Sequence, residues 1–198
     1  MFIQIIQGTC TRPDDLHALA DEWRDQLGPT ADGWLGGTYG FTDDDMFVAV
    51  VRFEDREKAM ANSRRPEQAA WAEKMMAVMD GPVEFHDSDD VTLMMGGGSD
   101  DAGFVQVIRG KVDDPERLKA MLSADTTMLH EMRPEILGAS LAVEPDGTFT
   151  ETIAFADEAS ARKGEKQEPP EDVRTELEYA MKDAKFYDLH HPWFESAR

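Results

Sequence analysis

Five side chains in the first half of this 198-residue sequence are of types that could take a proton from a weakly acidic molecule and shield it from water. They are Gln4, Tyr39, Arg52, Trp71 and His86. An imidazole changes charge near neutral pH, which makes His86 the natural proton acceptor. Arg52 is a candidate by residue type alone, with no role assigned to it. His86 and Arg52 are therefore the catalytic candidates, and Gln4, Tyr39, Trp71 and His86 the ligand-binding ones, beside an expected apolar wall of Phe47, Val51 and Met75. Strand alternation puts Arg52 in phase with Met46, Val48 and Val50, so its charge belongs at the strand's end or inside a pocket.

The second half holds one oddity of its own. Glu151 lies in phase with Phe149, Ile153 and Phe155, where a carboxylate would have its pKa raised and could act as a base. The alternative, and the expectation here, is an edge position reaching solvent. Metal chemistry finds no support: the histidines show no His-x-x-x-His or Cys/His spacing. The adjacent His190 and His191 would point to opposite faces of a strand.

The elements that must position these residues follow from periodicity. Phe2 to Gln7 is a short apolar run of strand character ending at Gly8. Pro13, Asp14 and Asp15 open a helix whose apolar stripe is Leu16, Leu19, Ala20, Trp23 and Leu27, and Gly28-Pro29 stops it. Trp34 to Phe41 and Met46 to Phe53 are two strands joined by a turn at residues 42–45. A second helix opens at Glu54, is broken by Asn62 to Pro66, and continues from Glu67 to Met79. Val83 to His86 begins a last strand, which extends again through Val91 to Met95.

That order then repeats. FVQVIRGKVDDPERLKA at Phe104–Ala120 matches FIQIIQGTCTRPDDLHA at Phe2–Ala18 without a gap, and the same register later pairs Gly36 with Gly138, Asp44 with Asp146, Phe53 with Phe155 and Asp55 with Asp157. A register kept over so long a stretch marks a duplication. Leu118, Met121, Leu122, Met128, Leu129 and Met132 stand for the first helix stripe in the copy, and Glu171 to Lys182 for the second helix. The repeats are read as 1–95 and 103–198, with the Gly-rich acidic segment 96–102 as linker. Across the copies Tyr187 replaces His86, Ala154 replaces Arg52, Leu141 replaces Tyr39 and Val173 replaces Trp71. The candidate chemistry is concentrated in the first repeat, unless one copy drifted without consequence.

Each repeat reads β-α-β-β-α-β, the ferredoxin-like arrangement, with two helices on one face of a four-stranded antiparallel sheet. The other face is still apolar and needs cover. Two repeats packed sheet to sheet would give it, closing an intrachain pseudo-dimeric α+β barrel. The expected assembly is a monomer of this kind or a homodimer. A net charge of −21 makes nucleic acid and anionic membrane poor partners. Cys10 is the only cysteine, so no internal disulfide or thiolate cluster forms. With no basic leader and no apolar run of membrane-spanning length, a reducing cytoplasm is the expected compartment.

In FIQIIQG, in Trp34-Leu35-Gly36-Gly37, in Phe53 to Ala59 and in SRRPEQAAW at Ser63–Trp71, the chain resembles the dimeric α+β barrel superfamily, in particular its antibiotic-biosynthesis-monooxygenase-like branch. The resemblance spans nearly the whole chain as two fused domains. It implies a small, apolar or aromatic ligand and, as one activity, cofactor-independent oxygenation; a non-catalytic ligand-binding or protein-interaction barrel is the alternative. Haem-binding members resemble one another in carrying a helical His ligand. The second helices of both halves lack one, and Gln4 and Gln7 stand where haem-degrading members have Asn. No cofactor is expected.

Overall fold

The computed structural model describes residues 1–123, 130–169 and 171–197. Met128 and Leu129, assigned from the sequence to a helix stripe, lie outside the described residues. The chain forms two compact units, one of Met1–Asp89 with Trp193–Arg198 and one of Asp90–Pro192.

In the first unit, β1 (Phe2–Thr9), β2 (Trp34–Phe41), β3 (Met46–Phe53), β4 (Glu84–Ser88) and β10 (Trp193–Ser196) make an antiparallel sheet in the order β10-β2-β3-β1-β4. Helices α1 (Pro13–Gln26), α2 (Arg56–Ser63) and α3 (Pro66–Val78) complete it. In the second unit, β5 (Asp90–Met94), β6 (Phe104–Lys111), β7 (Ile136–Val143), β8 (Thr148–Phe155) and β9 (Lys185–Leu189) run β5-β7-β8-β6-β9, with α4 (Pro115–Ser123), α5 (Glu158–Gly164) and α6 (Glu171–Met181).

Each sheet thus has five strands where the sequence suggested four. Residues 90–94 do not prolong β4: they pair with β7, Val91 opposite Ala142 and Leu93 opposite Ser140. Residues 193–196 pair reciprocally with β2, Trp193 opposite Tyr39 and Glu195 opposite Gly37. Each repeat lends its last strand to the other's sheet. That satisfies backbone groups along one edge of β2 and of β7, which would otherwise be open.

The duplication is visible in small devices as well as in the element order. Asp55 caps α2 by accepting from the Lys58 amide at 2.9 Å, and Asp157 caps α5 by accepting from the Ser160 amide at 2.8 Å. The Cys10 amide donates to the Asp45 carbonyl and the Val112 amide to the Gly147 carbonyl, tying the end of the first strand to the same turn in both copies. The Gln4 amide nitrogen donates to Asp87 at 2.8 Å, and that of Gln106 to Asp188 at 2.9 Å. Both second strands carry an irregularity in the same place, between Trp34 and Gly36 and between Ile136 and Gly138.

Among the described residues no helix is long and apolar enough to cross a membrane.

Candidate functional site

Alternation along β1 and β3 sorts the first unit's residues onto two sheet faces, and this sorting decides the site. Phe2, Gln4 and Ile6 share one face with Phe47, Ala49, Val51 and Phe53; α1, α2 and α3 lie over that face. Between helices and sheet is a cavity of about 90 Å³. Its aromatic lining is Trp23, Trp34, Tyr39, Phe47, Phe53 and Trp71, and its polar lining is Gln4, Asn62, Ser63 and Gln68.

Of the residues picked out in the sequence, the structure brings Gln4, Tyr39 and Trp71 to this cavity, with Phe47, Val51 and Met75. His86 and Arg52 do not line it. His86 pairs with Ile5 and Arg52 with Ile3, so both belong to the opposite face, with Val48 and Val50. There the Arg52 guanidinium lies 3.5 Å from the Thr38 hydroxyl, and His86 lies 3.5 Å from the Glu84 carboxylate. Both side chains lie on the face of the sheet away from the cavity.

The polar side chains of the cavity are mostly committed to one another. Gln68 accepts from the Trp23 indole at 2.6 Å and from Asn62 at 3.4 Å, and Asn62 accepts from Arg65 at 2.9 Å. The Trp71 indole donates to the Leu19 carbonyl at 2.8 Å. These bonds fix two of the three tryptophans as rigid walls. The Trp34 indole nitrogen is buried and makes no hydrogen bond among the described residues.

Tyr39 is positioned from the C-terminal strand. Trp193 stacks on it with ring centres 5.5 Å apart, and also faces Phe41 at 6.0 Å and Phe47 at 6.2 Å. Burial, then the Glu195 carboxylate, raises the Tyr39 pKa, with Arg52 opposing. The phenol is therefore neutral at physiological pH and available as a donor. Glu195, 7% exposed, accepts from Arg24 at 2.9 Å; burial raises its own pKa and Arg24 opposes that.

Sequence reasoning missed Trp23, Trp34, Asn62, Gln68, Trp193 and Glu195. Asn62 and Gln68 carried a signal, since Asn62 and Ala59 share a helix face, but a polar residue beside Arg64-Arg65-Pro66 reads as a break between helices. Trp193 and Glu195 carried none, because they come from the other repeat.

In the second unit Glu151 occupies the position of Ala49. It is 5% exposed, not at a solvent edge, which corrects the expectation. Its cross-strand neighbours are Ile108 and Leu141, both buried. Burial alone pushes its carboxyl up to about 7. Among the described residues no cluster of three or more His, Cys, Asp or Glu is arranged to hold a metal ion.

The two sheets with their helices make this an α+β chain in which one arrangement of strands and helices occurs twice. The chain is similar to a candidate monooxygenase from Fusobacterium nucleatum subsp. nucleatum (TM-score 0.77, 11% identity, 98% of this chain and 94% of that one). It is similar also to one from Lactobacillus acidophilus NCFM (TM-score 0.72, 13% identity, 100% and 97%) and to an anthrone oxidase-like protein (TM-score 0.69, 11% identity, 99% and 93%). At these identities the likeness is one of fold. No family model and no curated protein matches the sequence.

Proposed function

We propose that the first unit binds a small, largely aromatic molecule between its helices and its sheet, and that the chain is an oxygenase-like protein acting on such a molecule. The observation that carries the binding is the cavity itself, with six aromatic side chains around it and a short row of polar ones. Its size limits the ligand: an apolar cavity of about 150 Å³ takes benzene, so about 90 Å³ admits a single ring only with some movement of a wall.

The full-length likeness to candidate monooxygenases supports the oxygenase reading. A substrate of that kind must reach oxygen as an anion. Tyr39, neutral and donating, would orient it and stabilise the anion's oxygen, while the tryptophan walls exclude water. A second reading, binding without catalysis, is favoured by one specific observation: no His, carboxylate or cation is among the described residues lining the cavity, so none there accepts the proton.

Calorimetric titration with 4-nitrophenol, followed by oxygen uptake with single-ring phenols, separates the two readings. One-to-one binding with substrate-dependent oxygen consumption supports the enzyme. Binding without consumption leaves the non-catalytic reading, and no saturable binding of any single-ring phenol overturns both.

A further inference from the structure

Trp34 lines the cavity and, on its other side, a surface groove of about 740 Å³ formed by residues 24–25 and 28–33 with Ser196 and Ala197. The groove is of the size that holds a small-molecule ligand, roughly 300–1,000 Å³. Trp34 alone of the three cavity tryptophans has an indole nitrogen with no hydrogen-bond partner. What holds the ring is packing, edge-on against Trp23 with centres 4.9 Å apart. Its backbone sits between Gly33 at φ 70° and Gly36 at φ 136°, across the irregularity in β2. These are conformations that glycine adopts without strain, at a place where the ladder is already interrupted. Swinging this ring breaks no side-chain hydrogen bond and releases an indole N–H that now goes unsatisfied.

We propose that Trp34 is the door between groove and cavity, and that the groove is a second subsite holding the polar, non-anionic end of a ligand whose ring occupies the cavity. This rests on the binding reading above. It resolves the size problem, since a molecule larger than one ring extends past Trp34 without enlarging the aromatic chamber. The charges of the groove choose its occupant. Arg24 is its cation among the described lining residues, and it is already bonded to Asp21, Asp25 and Glu195. Asp25 and Asp32 add carboxylates to the same walls, and two cations that reach lining residues from outside are themselves paired, Lys58 at Asp32 with Glu54 and Arg65 at Thr30 with Glu67. An anionic tail meets repulsion there, whereas a hydroxylated one meets acceptors.

The test is stopped-flow quenching of tryptophan fluorescence with three probes: 4-nitrophenol, its neutral β-glucoside and 4-nitrophenyl phosphate. Trp34→Phe opens the passage and Ala197→Trp, on an exposed residue outside the core, obstructs its mouth. Association of 4-nitrophenol is expected to be at least about fivefold faster in the first variant and about fivefold slower in the second. The glucoside is expected to bind and the phosphate not. If 4-nitrophenol binds saturably but both variants associate at the wild-type rate, the door is wrong and the cavity reading stands. Binding of the phosphate as tightly as the glucoside overturns the assignment of the groove. Failure of the wild type to bind 4-nitrophenol at all removes the cavity reading, and this inference with it.

Discussion

Replacing Glu151 by Gln should make the protein more stable at alkaline pH and leave it nearly unchanged at acid pH. The carboxyl is buried beside Ile108 and Leu141, and burial pushes it up to about 7 from an ordinary 4.5. The folded state thus holds the proton more tightly than the unfolded one. For an acid shifted upward, stability is fully present below about pH 4.5 and declines as pH rises, the loss being complete above about pH 7. The difference of about 2.5 between the two values corresponds to about 3 kcal/mol at 1.36 kcal/mol each. In a chain of this size that is a shift of about 6–12 °C in Tm. Gln carries no titrating proton, so the variant keeps what the wild type loses. The assay is thermal unfolding of both proteins at about pH 5 and pH 8.5, read as the difference between them, which cancels the contribution of the other carboxylates. If Glu151→Gln shifts the midpoint equally at both pH values, the carboxylate is not desolvated and the reasoning is refuted.

Two further substitutions probe how the first unit is held together. Trp193→Ala removes the ring stacked on Tyr39, Phe41 and Phe47 and should cost about 2–3 kcal/mol in denaturant unfolding. It should also weaken phenol binding, because Tyr39 loses its support; unaltered binding would detach Tyr39 from the site. Asp55→Ala deletes the α2 cap and should cost about 1 kcal/mol, with Asp55→Asn recovering most of it. A loss that Asn does not recover would assign the effect to charge rather than to the cap.

The duplicated architecture was legible because a repeat in register states the same element order twice, and Asp55 and Asp157 matched before either was known to cap a helix. The exchange of β5 and β10 was not. Period-2 alternation tells which face a residue occupies but not which sheet its strand joins, so Trp193 and Glu195 could not be connected with Tyr39. The failure with His86 and Arg52 is of another kind. Alternation sets Arg52 with Val48 and Val50 and so apart from Phe47 and Val51, and a shared chemical type does not place side chains on one face. For Gln4 the chemistry was legible but its use was not: its amide is bonded to Asp87, an arrangement that Gln106 and Asp188 repeat. Glu151 was visible as a carboxylate in an apolar phase. Its burial depends on neighbours from β6 and β7, which one strand's pattern cannot supply.

The claim that the first unit's cavity is a ligand site is tested most directly by filling it. Ala49 is 1% exposed and lines the cavity, and Ala49→Leu adds three carbon atoms to a space of about 90 Å³. Calorimetric titration of the wild type and this variant with 4-nitrophenol, alongside their melting curves, gives the answer. The account predicts saturable one-to-one binding to the wild type and its loss in Ala49→Leu, with the variant melting no more than a few degrees from the wild type because the added atoms occupy empty volume. Undiminished binding by a well-folded Ala49→Leu would contradict it.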